Sequence, residues 1–355
     1  MTDPRIAQTI DVMVEASWKL RNSEFRSSRL ALGTHIVDVC LPPHPSRANV
    51  TMHDAFLEPE CDGIADFHLT VIDDSISGRP PILDWPRSWY EPFGVVKGSL
   101  AQPYRFAVDV HSRSLSMFDP RTRQAVVWFH DVRTVEYWFA ATPFRLQLSW
   151  FADTFGGEMI HAAGLEFGDA AALVVGPSRA GKSTLTLSTM LRGYRTLGDD
   201  FLLLTGHSAQ AIYRRAKVHD ATCRLLGDQL AEIGSVMNAD APGEKRIVNT
   251  LSSKISQHLL PVGAVFVPRI GTQARVSPLS KPDALRSTLG PTMMGLLGGS
   301  AGTLRRITSL VHAVPTFRIE VGQDLSTNAH ALIETMAEVT RDHTIRGGEQ
   351  QGCAS

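Results

Sequence analysis

Short hydrophobic segments separated by turn-forming residues dominate the first part of the chain. Their positions are 30–41, 67–72, 104–110 and 125–129, and the clusters between them are rich in Pro, Gly, Asp and Ser. Such segments are typical of β-strands joined by turns. Residues 117–124 have the composition of a hairpin connection. The pattern therefore predicts a β-rich N-terminal region over residues 1–141.

The second part of the chain alternates between strand-like and helix-like segments. The predicted strands are 171–175, 201–204, 262–267 and 316–321, with 159–167 as a strand or a hairpin, and the predicted helices are 143–155, 182–191 and 328–339. An order of strand, loop, helix and strand is typical of α/β folds. We therefore expect an α/β domain over residues 142–340, followed by a flexible polar tail at 341–355.

Composition narrows the class of protein. The chain has 355 residues, of which 43% are hydrophobic and 20% charged, with a net charge of -1; this is ordinary for a folded globular protein of two domains. Such a balance argues against nucleic acid as a partner, and the absence of a long apolar run argues against a membrane. The four cysteines are far apart in the sequence, which favours reduced thiols in the cytoplasm.

A Gly-x4-Gly-Lys-Ser motif at residues 176–183 lies between a predicted strand and a predicted helix. In such a loop the backbone N–H groups and the helix N-terminus bind phosphates. We call residues 176–183 the phosphate loop, and expect it to bind ATP and Mg²⁺. Lys182 would bridge the β- and γ-phosphates, and the Ser183 hydroxyl would bind Mg²⁺. The expected nucleotide contacts are Gly176, Pro177, Ser178, Arg179, Ala180, Gly181, Lys182, Ser183 and Thr184.

Arg179 occupies a position at which many phosphate loops carry Gly. Either the turn accepts a side chain there, or Arg179 adds a positive charge near the phosphates.

Two adjacent carboxylates, Asp199 and Asp200, follow the predicted helix and directly precede an apolar run. Adjacent carboxylates repel each other, so one is expected on Mg²⁺ while the other keeps a raised pKa suited to proton abstraction. A solvated acidic turn is the alternative. His161 lies fifteen residues before Gly176; it is a candidate for binding the transferred phosphoryl group or an aspartate, or else a structural histidine.

These elements together resemble the catalytic domain of HPr kinase/phosphorylase. That family has a His, then the phosphate loop fifteen residues later, then an Arg-Gly-x-Arg segment leading into an Asp-Asp pair; here they stand as His161, residues 176–183, residues 192–195, and Asp199 with Asp200. The resemblance implies a P-loop kinase domain of the HPr kinase C-terminal type and a serine hydroxyl as acceptor. It also implies that His161 assists at the phosphoryl group, and we expect Asp199 as the base and Asp200 on the metal.

The sequence departs from the bacterial sugar-regulation kinases of this family. Thr184 stands where they usually have Glu, Arg179 stands for Gly, and their later Arg-Gly signature has no clear copy.

The sequence is more similar to the HPr-kinase-related enzymes of lasso-peptide gene clusters. The similar segments are 156–163, 197–201, 243–245 and 314–319, within an overall likeness over residues 142–325. These relatives phosphorylate the C-terminal serine of a precursor peptide, so the resemblance implies a precursor peptide or a small protein as acceptor. It also makes Lys245 a candidate phosphate contact, the alternative being a solvated surface charge. A homo-oligomer is compatible with it.

We therefore expect an ATP- and Mg²⁺-dependent serine kinase whose acceptor is a lasso-peptide precursor, and whose N-terminal region binds the peptide by strand addition. Three other interpretations stay open: a kinase for an HPr-like carrier protein or free serine, a P-loop ATPase or nucleotide switch in peptide maturation, and a nucleotide-binding scaffold without catalytic activity.

Overall fold

A computed structural model gives the fold of the chain as mixed α/β, with several sheets. It describes residues 26–41, 54–58, 63–73, 94–96, 104–109, 112–132, 135, 137–237, 245–296, 299 and 301–352, with positions 9, 12, 13, 15, 16 and 88. The chain divides into two compact units. The N-terminal unit is Met1–Phe155 with Leu296–Gly298, and the C-terminal unit is Gly156–Gly295 with Gly299–Ser355.

The N-terminal unit contains a six-stranded sheet of order β1-β2-β3-β6-β5-β4. Its strands are β1 (Arg26–Leu32), β2 (His35–Leu41), β3 (Phe67–Asp73), β4 (Arg105–Asp109), β5 (Ser114–Asp119) and β6 (Gln124–Phe129). β3 pairs in parallel with β2 and β6, and the other pairs are antiparallel. The predicted hairpin connection at 117–124 joins β5 to β6, as expected.

The segment predicted as one strand at 30–41 is a hairpin. Gly33 has a φ of 68° and turns the chain between β1 and β2, so that Leu32 pairs with His35. Glycine adopts this left-handed conformation without the steric penalty that a Cβ would bring.

A helix covers one face of the six-stranded sheet. α1 (Arg145–Thr154) lies where a helix was predicted at 143–155. The Phe151 ring stacks on Phe67 with 4.7 Å between centroids and meets Phe118 edge-on at 5.3 Å. Because these aromatic contacts bind α1 to the sheet, the compact unit ends after Phe155, beyond the expected boundary at 141.

The C-terminal unit is built on a nine-stranded sheet. Its main path is β10-β8-β9-β16-β12-β11-β7, with β18 added to β16 and β17 added to β18. The bounds are β7 (Gly157–Ile160), β8 (Ala162–Phe167), β9 (Ala170–Val175), β10 (Thr196–Gly198), β11 (Leu202–Thr205), β12 (Ser208–Gln210), β16 (Leu260–Ile270), β17 (Arg275–Pro278) and β18 (Thr316–Val321). β16 runs parallel to both β9 and β18.

A three-stranded antiparallel sheet, five α-helices and two short 3₁₀ helices (Gly227–Glu232 and Ser252–Lys254) complete the described part of this unit. The small sheet has the order β13 (Arg215–His219), β15 (Lys245–Thr250) and β14 (Gly234–Val236). The helices are α2 (Lys182–Met190), α3 (Asp220–Leu226), α4 (Lys281–Gly295), α5 (Ala301–Ala313) and α6 (Leu325–Gly352). Buried residues of β8, β9, β16, α2 and α6 form the core.

The end of the chain differs from the expectation. A closing helix was predicted at 328–339 with a flexible tail from 341, whereas α6 continues to Gly352. No proline interrupts residues 325–352, so the backbone hydrogen bonds continue past the last apolar position despite two adjacent glycines. Among the described residues, no helix is both long and apolar enough to cross a membrane.

Candidate phosphate-binding and catalytic site

The phosphate loop joins the buried strand β9 to the N-terminus of α2. Gly176 and Gly181 have φ values of 139° and 102°, which favour glycine. A Cβ on Gly181 would lie 3.3 Å from Ile270 and 3.5 Å from Val321. The two glycines of the motif are thus required by backbone conformation, and the second also by the close approach of β16 and β18.

Arg179 has a left-handed backbone, with a φ of 66°, and an exposed side chain. The turn therefore accepts a side chain at a position suited to glycine, as one of the two sequence interpretations required. Such a conformation costs on the order of 1–2 kcal/mol for a residue with a Cβ.

Lys182 is buried and donates from Nζ to the carbonyl oxygens of Gly176 and Pro177, at 2.8 and 3.1 Å. Its ammonium group is therefore held across the mouth of its own loop.

Several charges act on the Lys182 ammonium. Burial lowers its pKa, and the charges of Lys245 and Lys217 lower it further, while Asp199 and Asp200 act in the opposite direction. Positive and negative side chains are thus gathered close enough to interact around this one group.

Ser183 and Asp199 are in direct contact. The Ser183 hydroxyl lies 2.9 and 3.1 Å from the two carboxylate oxygens of Asp199, to which it donates. Asp199 is buried, at the end of β10, and the backbone N–H of Lys217 also donates to it at 3.3 Å. The two oxygen ligands expected of a magnesium site are therefore side by side, although the sequence expectation paired Ser183 with Asp200.

Asp200 faces a different set of partners. Its carboxylate lies 3.0 Å from His161 Nε2 and 2.5 Å from Lys217 Nζ. Asp200 has a φ of 96°, a strained conformation for a residue with a Cβ. The turn between β10 and β11 thus directs two adjacent carboxylates to different partners.

His161 is fixed on three sides. Its backbone N–H donates to the Thr292 hydroxyl of α4 at 3.0 Å, its ring meets the Phe201 ring edge-on at 5.2 Å, and its Nε2 contacts Asp200. His161 therefore belongs to the same cluster as the aspartate pair, as the spacing in the sequence suggested.

The two carboxylates differ in acidity for physical reasons. Burial raises the pKa of Asp199, and the neighbouring charge of Asp200 raises it further. Burial acts on Asp200 in the same direction, but the Lys217 ammonium and the hydrogen bond with His161 outweigh it and hold the pKa of Asp200 well below its usual range. Asp200 is therefore the more acidic of the two carboxyl groups.

Two peripheral residues of the expected site have different positions. Lys245 Nζ lies 3.5 Å from the Ser178 hydroxyl, so it is beside the phosphate loop. The Thr184 hydroxyl contacts the Thr222 hydroxyl of α3 at 2.8 Å. Thr184 therefore links two helices through its side chain.

Lys217 was missed by the sequence analysis. It lies in β13, fifteen or more residues beyond the aspartate pair, and contacts both carboxylates through its backbone N–H and its ammonium group. The only signal in the sequence is a basic residue in a strand-like run that also contains Arg214 and Arg215, and nothing in that run distinguishes Lys217 from its neighbours.

A scan against models of protein families finds no match, and a search of curated proteins finds none either.

In the part of the chain that the structure describes, no three or more His, Cys, Asp and Glu side chains are grouped as a metal site.

Proposed function

We propose that this chain is an ATP- and Mg²⁺-dependent kinase that transfers the γ-phosphoryl group to a serine hydroxyl. The observation that carries the proposal is the contact, at 2.9 Å, between Asp199 and Ser183, the last residue of the phosphate loop. A triphosphate site needs a hydroxyl and a carboxylate at this place to hold the metal ion. On this proposal, the C-terminal unit is a P-loop kinase domain of the HPr kinase C-terminal type.

The residues present fit Mg²⁺. This ion takes oxygen ligands, and at phosphate-transfer sites it is usually held by one or two carboxylates together with substrate phosphates and water. Ser183 and Asp199 supply a hydroxyl and a carboxylate, so a cluster of three acidic or histidine side chains is not required. The ion would neutralise negative charge on the phosphates.

The contacts support different roles for the two aspartates, one as metal ligand and one as base. These roles are the reverse of those expected from the sequence. Asp199 is the carboxylate on Ser183, so we assign it to the metal ion. Asp200 is held with His161, and we assign it to the acceptor hydroxyl. Its low pKa is compatible with this role, because the phosphoryl-transfer transition state is loose and kinases use an ionised aspartate to accept the proton.

The proposed reaction is a single displacement at phosphorus. The serine oxygen forms a bond to the γ-phosphorus while the bond from that phosphorus to the β,γ-bridging oxygen breaks, and the hydroxyl proton passes to the Asp200 carboxylate. The products are a phosphoserine and ADP. Lys182 and the N–H groups of the phosphate loop stabilise the charge on the phosphates.

The acceptor we propose is the C-terminal serine of a lasso-peptide precursor. This rests on the resemblance of residues 156–163 and 197–201 to the kinases of those gene clusters. An HPr-like carrier protein or free serine would use the same phosphate loop and the same aspartates.

Intact-mass spectrometry tests the proposal. The protein is incubated with Mg²⁺, ATP and, in separate reactions, a precursor peptide ending in Ser, an HPr-type carrier, and free serine. We expect a phosphate-sized mass gain on the peptide alone, lost at limiting Mg²⁺ in Asp199→Asn and kept in Asp283→Asn, a matched change at a half-exposed aspartate of α4. A phosphate-sized mass gain on the carrier or on free serine would identify that molecule as the acceptor instead of the peptide. ATP hydrolysis without any gain would favour the ATPase interpretation.

A further inference from the structure

Lys217 connects the residues of the candidate site through its backbone. Its N–H donates to Asp199 at 3.3 Å, and its carbonyl oxygen lies 3.2 Å from the Ser183 hydroxyl oxygen. β13 is therefore fixed against the two side chains that we assign to the metal ion, which places the start of the Lys217 side chain beside the phosphate loop.

The ammonium group of Lys217 is held in a mostly buried position. Its Nζ lies 2.5 Å from the Asp200 carboxylate, and both side chains are 13% exposed. An ammonium group has three N–H donors, so one ion pair leaves it further capacity to bind an anion. The ion pair with Asp200 holds the ammonium group in place and thereby sets the direction of its remaining N–H donors.

Lys217 is also one of three lysines gathered at the phosphate loop. Lys245 lies beside Ser178, and Lys182 donates to two carbonyl oxygens of the loop. The charges of Lys217 and Lys245 both lower the pKa of Lys182. Like charges repel at this range, so gathering three of them costs free energy that a bound polyanion would offset.

We propose that Lys217 is a second phosphate-binding lysine, whose ammonium group contacts the transferred phosphoryl group while it remains paired with Asp200. The inference rests on the proposed function, and adds to it a residue that distinguishes a triphosphate from a diphosphate. Lys217 stabilises the phosphoryl group from the side of the acceptor base, and Lys182 from the side of the loop.

A purely structural ion pair is the competing explanation, and the same unit contains one for comparison. Arg306 of α5 binds the buried Glu158 carboxylate at 2.9 Å. Glu158 lies in β7 and Arg306 in α5, so both are outside the phosphate loop. Arg306→Met therefore serves as the matched control, because it removes a cation from a buried carboxylate away from the proposed phosphate contacts.

Calorimetric titration of ATP and of ADP, each with Mg²⁺, tests the inference. We expect Lys217→Met to weaken ATP binding about tenfold or more, as for loss of a hydrogen bond between charged groups, while ADP binding changes by less than about twofold. Arg306→Met should leave the ratio of the two affinities at the wild-type value. Equal losses for ATP and ADP in Lys217→Met, or no loss for either, would overturn the inference.

A double variant covers the case in which Lys217→Met fails to fold because Asp200 is left as a lone buried charge. Asp200→Asn with Lys217→Met removes both charges. If Lys217 contacts the phosphoryl group, the preference for ATP over ADP stays lost in the double variant; if Lys217 only compensates Asp200, the preference returns. Failure of the wild type to bind either nucleotide would instead refute the proposed function itself.

Discussion

An ion pair of the N-terminal unit and one of the C-terminal unit differ in how deeply their side chains are buried. In the N-terminal unit, Arg29 binds Asp38 at 3.0 Å, with side chains 41% and 26% exposed. In the C-terminal unit, Lys217 binds Asp200 at 2.5 Å, with both side chains 13% exposed. An exposed pair contributes little to stability and costs little to form, whereas a buried cluster of charges is expensive.

The difference supports the C-terminal cluster as the candidate functional site. A protein gains little stability from collecting buried lysines and carboxylates, and such clusters are typical of functional sites. Asp200 combines a positive φ with burial inside the cluster, whereas Arg113 has a positive φ in an exposed turn of the N-terminal unit. At Arg113 the left-handed backbone allows the chain to turn. At Asp200 it orients the carboxylate toward its partners.

The largest effect is expected from removing the lysine of the phosphate loop. Lys182→Ala removes the buried ammonium at the loop mouth, and turnover should fall by about 10³ or more, since charge stabilisation of the phosphates is the main catalytic contribution. Initial-rate assays check this. Arg29→Ala in the N-terminal unit should leave the rate within about twofold; a comparable loss there would end the contrast between the units.

Substitutions of the two aspartates should have different kinetic effects. Asp199→Asn should raise the Mg²⁺ concentration needed for half-maximal rate, because it removes a metal ligand. Asp200→Asn should lower kcat by about 10²–10⁴, the usual contribution of a general base, with little change in the Mg²⁺ requirement. Rates measured across a Mg²⁺ titration separate the two outcomes, and the opposite pattern would restore the assignment expected from the sequence.

The same substitutions should change stability in opposite directions. Asp199 has a raised pKa in the folded state, so its charge opposes folding as the pH rises through that value, and Asp199→Asn should stabilise the protein at neutral pH. Asp200 has a depressed pKa, so it contributes stability above the unfolded pKa of about 4 that is lost as the pH falls. Asp200→Asn should therefore lower Tm at neutral pH. Thermal unfolding at several pH values checks both signs; shifts of the same sign would contradict the assigned charges.

The smallest effect concerns the left-handed arginines. Arg179→Gly and Arg113→Gly should each stabilise the protein by about 0.5–1 kcal/mol, because glycine relieves the strain but loses more chain entropy on folding. Only Arg179→Gly should also weaken ATP binding, by about two- to fivefold, as expected for loss of one exposed charge. Denaturant unfolding and ATP titration check the pair; unchanged ATP binding would leave Arg179 as a tolerated turn residue.

The local parts of the site could be predicted from the sequence. The apolar run at 171–175, the glycines of the phosphate loop and the helix from Lys182 are all encoded by contiguous residues, and the structure has them as β9, the loop and α2. His161 and the aspartate pair were named through their spacing from the loop. These features depend on short stretches of chain, for which periodicity and motif are informative.

The parts that depend on distant pairing could not be predicted. Lys217 reaches the aspartates because β13 is fixed by its pairing with β15 and by the contacts to Ser183 and Asp199. The order of partners around the aspartates depends on the backbone turn at Asp200, and an alternation of apolar residues says nothing of a left-handed residue. The hairpin at Gly33 is local, but the apolar pattern does not reveal the left-handed backbone of this glycine.

On the proposed function, the γ-phosphoryl group passes intact to a serine oxygen. ATP labelled with ¹⁸O on the non-bridging oxygens of the γ-phosphoryl group tests this most directly, with the acceptor peptide and the released phosphate both analysed by mass spectrometry. We expect all three labelled oxygens to arrive on the peptide, since phosphoryl transfer leaves these oxygens attached to phosphorus. Recovery of the label in free phosphate, with an unmodified peptide, would contradict it.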